Sequence, residues 1–237
     1  MMLRQVVDRI GTLLIGRDRY RRRQYKRAKR IASRYGYEIY KAHLIWQGDE
    51  DYLAARDLAA RRGIVGIPHD RCYTLLELAR QLRDVPGHFA ECGSRHGKSS
   101  LFLLTGLGAD SDKTLHIFDS FDGLSSPGVN DRDAAGAMHW AHRDLAVPEE
   151  IVRRNLEGYG DRLDVHKGWI PERFHEVEDE RFALVHIDVD LYEPTRDAVA
   201  FFYPRVSPGG MIVCDDYGSA LCPGAKRAID EFFADKP

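Results

Sequence analysis

From Gly87 onward the apolar positions fall into short runs, separated by segments in which apolar residues recur every three or four positions. His88–Glu91, Thr114–Asp119, Leu163–His166, Ala183–Asp188 and Gly210–Cys214 are brief β-rich or apolar stretches bounded by Gly, Pro or Asp, a pattern that predicts five strands. Lys98–Leu107, Pro148–Gly158, Glu193–Tyr203 and Gly224–Phe233 carry the helical spacing, and Pro148 and Pro194 fall where a first helical turn tolerates proline. Alternating strands and helices require crossovers, so the expected fold class is α/β: a doubly wound, mostly parallel sheet with helices on both faces. Ligands of such sheets bind beyond the carboxyl ends of the strands, where polar residues become the first candidates for chemistry.

Ahead of that region, residues 42–86 read as helical in parts, over Tyr52–Arg62 and Tyr73–Leu82, around a loop Gly63–Arg71; they are expected to cap the site. The stretch Ser125–His142 is rich in Gly, Asp and Ser with little periodicity, and its length suits a lid or substrate loop. The expected organisation is therefore a basic helical arm (1–41), a helical cap (42–86) and a ligand-binding α/β domain (87–237).

Charge divides the chain in the same way. The 237 residues carry a net charge of −2, yet residues 1–41 hold 13 Lys/Arg against 3 Asp/Glu. Between Arg17 and Arg34 the arginines alternate with Tyr20, Tyr25 and Ile31. The favoured reading is an appendage packing on the acidic body or on a second subunit of a homo-oligomer. Peripheral contact with an anionic membrane surface is the alternative. Nucleic acid is not an expected partner, because a nucleic-acid domain would be basic throughout. At 43% hydrophobic and 30% charged residues, wholesale disorder is excluded. No run approaches the roughly 20 apolar residues of a membrane span, and no signal peptide is recognisable, so the expected location is cytoplasmic. Cys72, Cys92, Cys214 and Cys222 are widely spaced without a C-x-x-C, which suits reduced thiols.

The strongest motif is Phe89-Ala90-Glu91-Cys92-Gly93-Ser94-Arg95-His96-Gly97-Lys98-Ser99. A strand ends at an acidic residue, glycines allow a tight turn, and a helix begins with its unpaired N–H groups facing the same space. Its E-x-G-x-x-x-G spacing departs from the dinucleotide fingerprint, and the acidic residue disfavours a pyrophosphate. A zwitterion fits better. Glu91 or a neighbouring carbonyl can meet an ammonium, while the helix N-terminus and Ser99 receive a carboxylate. A glycine-rich turn without a ligand would look similar.

Asp119 ends the next strand, where doubly wound nucleoside binders place a carboxylate for the ribose hydroxyls; a loop or capping aspartate is the alternative. An amino-acid end and a ribose end together point to S-adenosylmethionine. Gly168-Trp169 is then placed to flank adenine, although a core Trp169 fits as well.

Carboxylates also close two further strands, in His186-Ile187-Asp188-Val189-Asp190 and in Cys214-Asp215-Asp216. Within a strand Asp188 and Asp190 would share a face, and so many carboxylates on one rim repel unless a cation or proton intervenes. Oxygen ligands select a hard ion, magnesium first, with calcium or manganese as substitutes. Solvated helix-capping aspartates are the alternative. His139, His142 and His186 are alternative bases, with His186 reading mainly as a core or rim residue.

Taken in order, Glu91-x-Gly93-x-x-x-Gly97 with Ser99, Phe118-Asp119-Ser120-Phe121-Asp122-Gly123-Leu124, Ile187-Asp188-Val189-Asp190-Leu191-Tyr192-Glu193-Pro194-Thr195, Tyr203-Pro204-x-x-Ser207-Pro208-Gly209-Gly210 and Asp215-Asp216-Tyr217-Gly218 resemble the macrocin O-methyltransferase (TylF/MycF-like) family. The resemblance implies a Rossmann-like class I methyltransferase that uses S-adenosylmethionine and Mg2+ to methylate a sugar hydroxyl. It implies Asp188, Asp215 and Asp216 as metal ligands, Asp188 as catalytic base, and Glu91, Gly93, Ser94, Gly97, Ser99, Asp119, Ser120, Gly168 and Trp169 around the cofactor. The acceptor would be a glycosylated natural product or a surface polysaccharide, a small-molecule or glycan partner in either case. Two departures stand out. The family's L-D-G-D reads I-D-V-D here, and the two C-terminal edge strands usual in the class are absent from this sequence, which stops at Pro237. Competing readings are a cofactor-binding or scaffolding module without turnover and, disfavoured by the missing G-x-G, a nicotinamide-dependent oxidoreductase.

Overall fold

The computed structural model describes residues 17–36 and 45–236. They fall into two units that divide between Asp49 and Glu50. In the first, α1 (Arg17–Arg34) is a basic helix on which Arg19, Arg23, Lys26, Arg27, Lys29, Arg30 and Arg34 are exposed. The rest of the expected arm, residues 1–16 and 37–41, lies outside the described residues, as do 42–44 of the expected cap. Among the described residues, no helix is long and apolar enough to cross a membrane.

The second unit holds five strands: β1 (His88–Cys92), β2 (Leu115–Asp119), β3 (Leu163–Lys167), β4 (Phe182–Ile187) and β5 (Val206–Cys214). Their order is β3-β2-β1-β4-β5, and every pairing is parallel. The expected doubly wound sheet is present. Strand order reverses between β1 and β4, which is the crevice where such sheets bind ligands. Every residue of β4 is buried, because helices cover both faces. The fifth strand begins at Val206 rather than Gly210. A register shift against β4 between Phe182 and Leu184 absorbs Ser207-Pro208-Gly209 as an irregularity, the setting in which a strand tolerates proline.

On one face, α2 (Glu50–Arg62) and α3 (His69–Gln81) pack on α4 (Lys98–Leu107), burying Tyr52, Ala55 and Ala59 of α2 and Cys72, Leu75, Leu76 and Ala79 of α3 at helical spacing. The backbones of α3 and α4 approach so closely that a Cβ at Gly106 would lie 2.4 Å from the Leu76 carbonyl oxygen. On the other face, α6 (Tyr192–Phe202) and α7 (Pro223–Phe233) cover an aromatic cluster in which Phe202 meets Phe182 at 5.0 Å and Phe118 at 5.7 Å between ring centroids. Each such buried ring contributes about 1.5–3 kcal/mol. A short α5 (Glu149–Asn155) precedes β3.

Both helices of the expected cap over residues 42–86 pack on α4. The two helices belong to the same unit as the sheet, their apolar stripes lying on α4, and among the described residues of this segment Gly66, Ile67 and Arg71 line the crevice.

Candidate active site

The strand ends are aligned by register. Glu91 pairs with His186, Cys92 with Ile187, and Ile187 with Cys214. The ladder continues one rung further: Asp188 N–H donates to the Cys92 carbonyl at 2.9 Å, and Asp215 N–H to the Ile187 carbonyl at 2.9 Å. Adjacent strands lie about 4.8 Å apart, so residues 188 and 215 emerge side by side. One ligand oxygen from each of Asp188, Asp215 and Asp216 lies within 4.8 Å of the others.

The local charge is strained. Burial raises the Asp188 carboxyl well above the carboxylate range; His186 opposes this, while Asp216, Asp215 and Asp190 reinforce it. Asp216 is raised, chiefly by burial. Asp190 is raised to about 7 by burial and then by Asp216. An all-oxygen donor set that carries more negative charge than its surroundings accept has the chemistry of a hard divalent cation site. Cationic groups beside the cluster include Arg71, paired with Asp215, and His186, with Arg95 acting on Asp190.

His186 is fully buried, with Nδ1 3.0 Å from Glu91 Oε1 and Nε2 3.9 Å from Asp215 Oδ1. Burial alone would lower its pKa; the partners Asp215 and Glu91 outweigh this and lift it to about 10. Ser100 Oγ donates to the other Glu91 oxygen. The floor of the site is thus a buried hydrogen-bonded trio, Ser100–Glu91–His186, whose free His186 Nε2 faces Asp215 without a hydrogen bond.

A cavity of about 310 Å3 opens above the strand ends. It is lined by Gly93, Ser94, Ser99, Asp119, Ser120, Gly168, Trp169, Asp188, Asp215 and Asp216 among the residues expected from sequence. Glu91 and Gly97 are not on its wall. Glu91 is fully buried and faces His186 and Ser100, so its expected meeting with a ligand ammonium is replaced by these partners. Gly97 caps α4 from beneath. Gly93 has φ +83°, and a Cβ there would lie 2.0 Å from the Asp188 carbonyl oxygen, so only glycine lets the β1 loop pass this close to the acidic cluster.

Asp119 is organised before any ligand arrives. Its Oδ2 accepts from Ser94 N–H at 2.8 Å, Ser94 Oγ at 3.0 Å and Arg95 N–H at 3.3 Å, and its Oδ1 accepts from Phe121 N–H at 2.8 Å. The single bond on Oδ1 leaves that oxygen able to accept a ribose hydroxyl.

These features, an acidic strand end and an acidic trio beside a glycine loop, fit a known family. The profile described as macrocin-O-methyltransferase (TylF) matches residues 53–236. The chain belongs to the macrocin-O-methyltransferase family. It is 36% identical over 148 residues to the 8-demethyl-8-(2,3-dimethoxy-alpha-L-rhamnosyl)-tetracenomycin-C 4'-O-methyltransferase of Streptomyces olivaceus, covering 60% of this chain and 57% of that protein. It is 37% identical over 161 residues to the demethyldecarbamoylnovobiocin O-methyltransferase of Streptomyces niveus, covering 64% and 60%. The chain thus spans about three fifths of the length of these relatives. The solved O-methyltransferase NovP superposes with a TM-score of 0.60 at 31% identity, over 71% of this chain and 72% of that one.

Within this family member, several site residues escape sequence reasoning. Arg71, Arg95, Lys98 and Trp140 also line the cavity, and Arg71 reaches Asp215 across 144 positions of sequence, a pairing that no local pattern signals. Asp188 and Asp190 both line the cavity, but beyond the strand rather than within it as expected. The strand ends at Ile187, and Asp190 adopts φ +60°, turning its carboxylate toward Cys222 Sγ at 3.4 Å while its N–H donates to Asp216. In the loop expected as a lid, buried Asp131 accepts from Tyr192 N–H at 2.7 Å and Gly128 N–H at 2.8 Å, anchoring it on the start of α6. His139 pairs with Asp133 at 2.9 Å, and His142 stacks on Trp169; neither is on the cavity wall. The four cysteines are free, as expected.

Proposed function

We propose that this chain is an S-adenosylmethionine-dependent, magnesium-dependent O-methyltransferase that methylates a sugar hydroxyl on a glycosylated natural product or a surface polysaccharide. The observation that carries the reading is the adjacency, in one cavity, of the Gly93–Ser99 turn with Asp119 and the carboxylate trio. The relatives' names, which specify a rhamnosyl tetracenomycin and a novobiocin precursor, support a glycosylated acceptor.

In this reading Asp119 holds the ribose of the donor, the Gly93–Ser99 turn receives its amino-acid end, and Gly168-Trp169 flanks the adenine. Asp188, Asp215 and Asp216 would hold the magnesium ion, which when bound lowers the pKa of a coordinated sugar hydroxyl. Asp188, beside the coordinated hydroxyl, receives its proton. Trp140 and the segment anchored by Asp131 exclude water from the collinear oxygen, methyl carbon and sulfur required for displacement.

The test is transfer of labelled methyl from S-adenosylmethionine to a panel of rhamnosylated polyketides, glycosylated aminocoumarins, polysaccharide fragments and catechols. Methylation on a sugar oxygen of at least one glycoside is expected. Transfer to catechols with none to any glycoside contradicts the acceptor assignment.

A further inference from the structure

A second cluster of metal-binding character lies apart from the cavity, on the sheet face shared by β2 and β3. His116 of β2 is in register with Asp164 of β3, and His166, two residues further along β3, points to the same side. His116 Nδ1 and His166 Nε2 are 3.0 Å apart; Asp164 Oδ2 is 3.8 Å from the first and 3.6 Å from the second. The two imidazole nitrogens hydrogen-bond to each other, and one ligand atom from each of the three side chains lies within 4.8 Å of the others. The cluster lies three residues before Asp119, or about 10 Å along the strand from the carboxyl end that meets the cavity.

We propose that His116, Asp164 and His166 form a site for a transition-metal ion, zinc in the first instance. Two imidazole nitrogens and one carboxylate oxygen suit zinc, whereas the all-oxygen trio at the cavity suits magnesium. Zinc bonds to such atoms are about 2.0–2.2 Å long, so tetrahedral ligands stand about 3.3–3.5 Å apart, close to the three separations here. An independent feature points the same way. The outer nitrogen of His166, Nδ1, lies 2.5 Å from Glu176 Oε2, and Glu176 is itself held by Arg173. A carboxylate behind a ligating histidine fixes the proton on the outer nitrogen and leaves the inner lone pair for the metal. Phe118 stacks on His166 at 4.4 Å and Phe182 lies edge-on to His116 at 5.9 Å, so both imidazoles are already oriented. The Asp164 side chain is 57% exposed, while both imidazoles are buried.

An ion here joins β2, β3 and, through Glu176, the turn that follows Gly168-Trp169. It would stiffen the wall beside the cavity without touching the reacting atoms.

The experiment is competition for Zn2+ between the full chain and a chromophoric chelator, with excess Mg2+ present to occupy the carboxylate trio, and Co2+ absorption as a second readout. One equivalent of tightly bound Zn2+ and tetrahedral Co2+ bands are expected. Affinity should fall about 10-fold or more in Glu176→Gln, the carboxylate behind His166, and by at least as much in Asp164→Asn, an exposed position that burdens folding little, and in His166→Gln, while Asp188→Asn leaves it unchanged. Zn2+ binding that is absent, that survives Asp164→Asn undiminished, or that is lost in Asp188→Asn overturns the assignment. None of these readouts depends on methyl transfer, so the site stands or falls separately from the proposed activity.

Discussion

Asp188 and Asp215 are neighbours because two backbone rungs continue the parallel ladder past the strands, Asp188 N–H to Cys92 O and Asp215 N–H to Ile187 O, each at 2.9 Å. The acidic pair is therefore built by sheet register rather than by flexible loops. Its relative position is as fixed as the core beneath it, and that rigidity suits both ion binding and proton transfer.

Replacing Asp188 with Asn should remove the proton acceptor and one ion ligand while leaving the shape of the site intact. Turnover is expected to fall by about 100-fold to 10,000-fold, with S-adenosylmethionine affinity changed by less than about threefold. Calorimetry with the donor, beside methyl-transfer rates, separates the two effects. Parallel loss of donor binding would count against the assigned role.

Asp119→Asn keeps the volume but removes the charge that organises Ser94, Arg95 and Phe121. Charge-assisted hydrogen bonds are worth about 1.5–3 kcal/mol, so donor affinity should weaken by about 10-fold to 100-fold. Asp122→Asn, at an exposed residue paired with Arg143, serves as the control and should bind the donor normally.

Gly93→Ala places a methyl group 2.0 Å from the Asp188 carbonyl in a left-handed conformation. Strain and overpacking together should cost about 2–4 kcal/mol and displace the loop at the cavity wall. Denaturant midpoints and donor binding should both drop; a variant as stable as the parent would show that the loop is looser than described.

His186→Asn leaves the fully buried Glu91 without its cationic partner. Removal of one partner from a buried pair costs about 3–5 kcal/mol. Adding Glu91→Gln should recover part of that loss, because it removes the stranded charge. Additive losses in the double variant would mean that the two residues do not interact.

The parts of this account readable from sequence are those carried by local pattern. Short buried runs such as Phe182–Ile187 identify central parallel strands, and an aspartate directly after such a run lies at the carboxyl rim by topology alone. Long-range partners follow different rules. Glu91 resembles a ligand-binding acid at the head of a glycine motif, but register with His186, 95 positions away, turns it into the buried counter-charge of the floor. Val206–Pro208 is hidden as strand because a proline normally argues against one, and the bulge opposite Phe182–Leu184 accommodates it. Asp190 lies past the strand end in a left-handed conformation, which a period-two rule does not anticipate.

The most direct test of the acidic trio as a divalent-ion site is a Mn2+ titration followed by electron paramagnetic resonance, on the parent chain and on Asp215→Asn, with S-adenosylmethionine present. The parent should take up one ion that Mg2+ displaces, and the variant should lose most of that affinity while keeping its fold. Equal Mn2+ binding by both proteins, or none by the parent, would contradict the proposal.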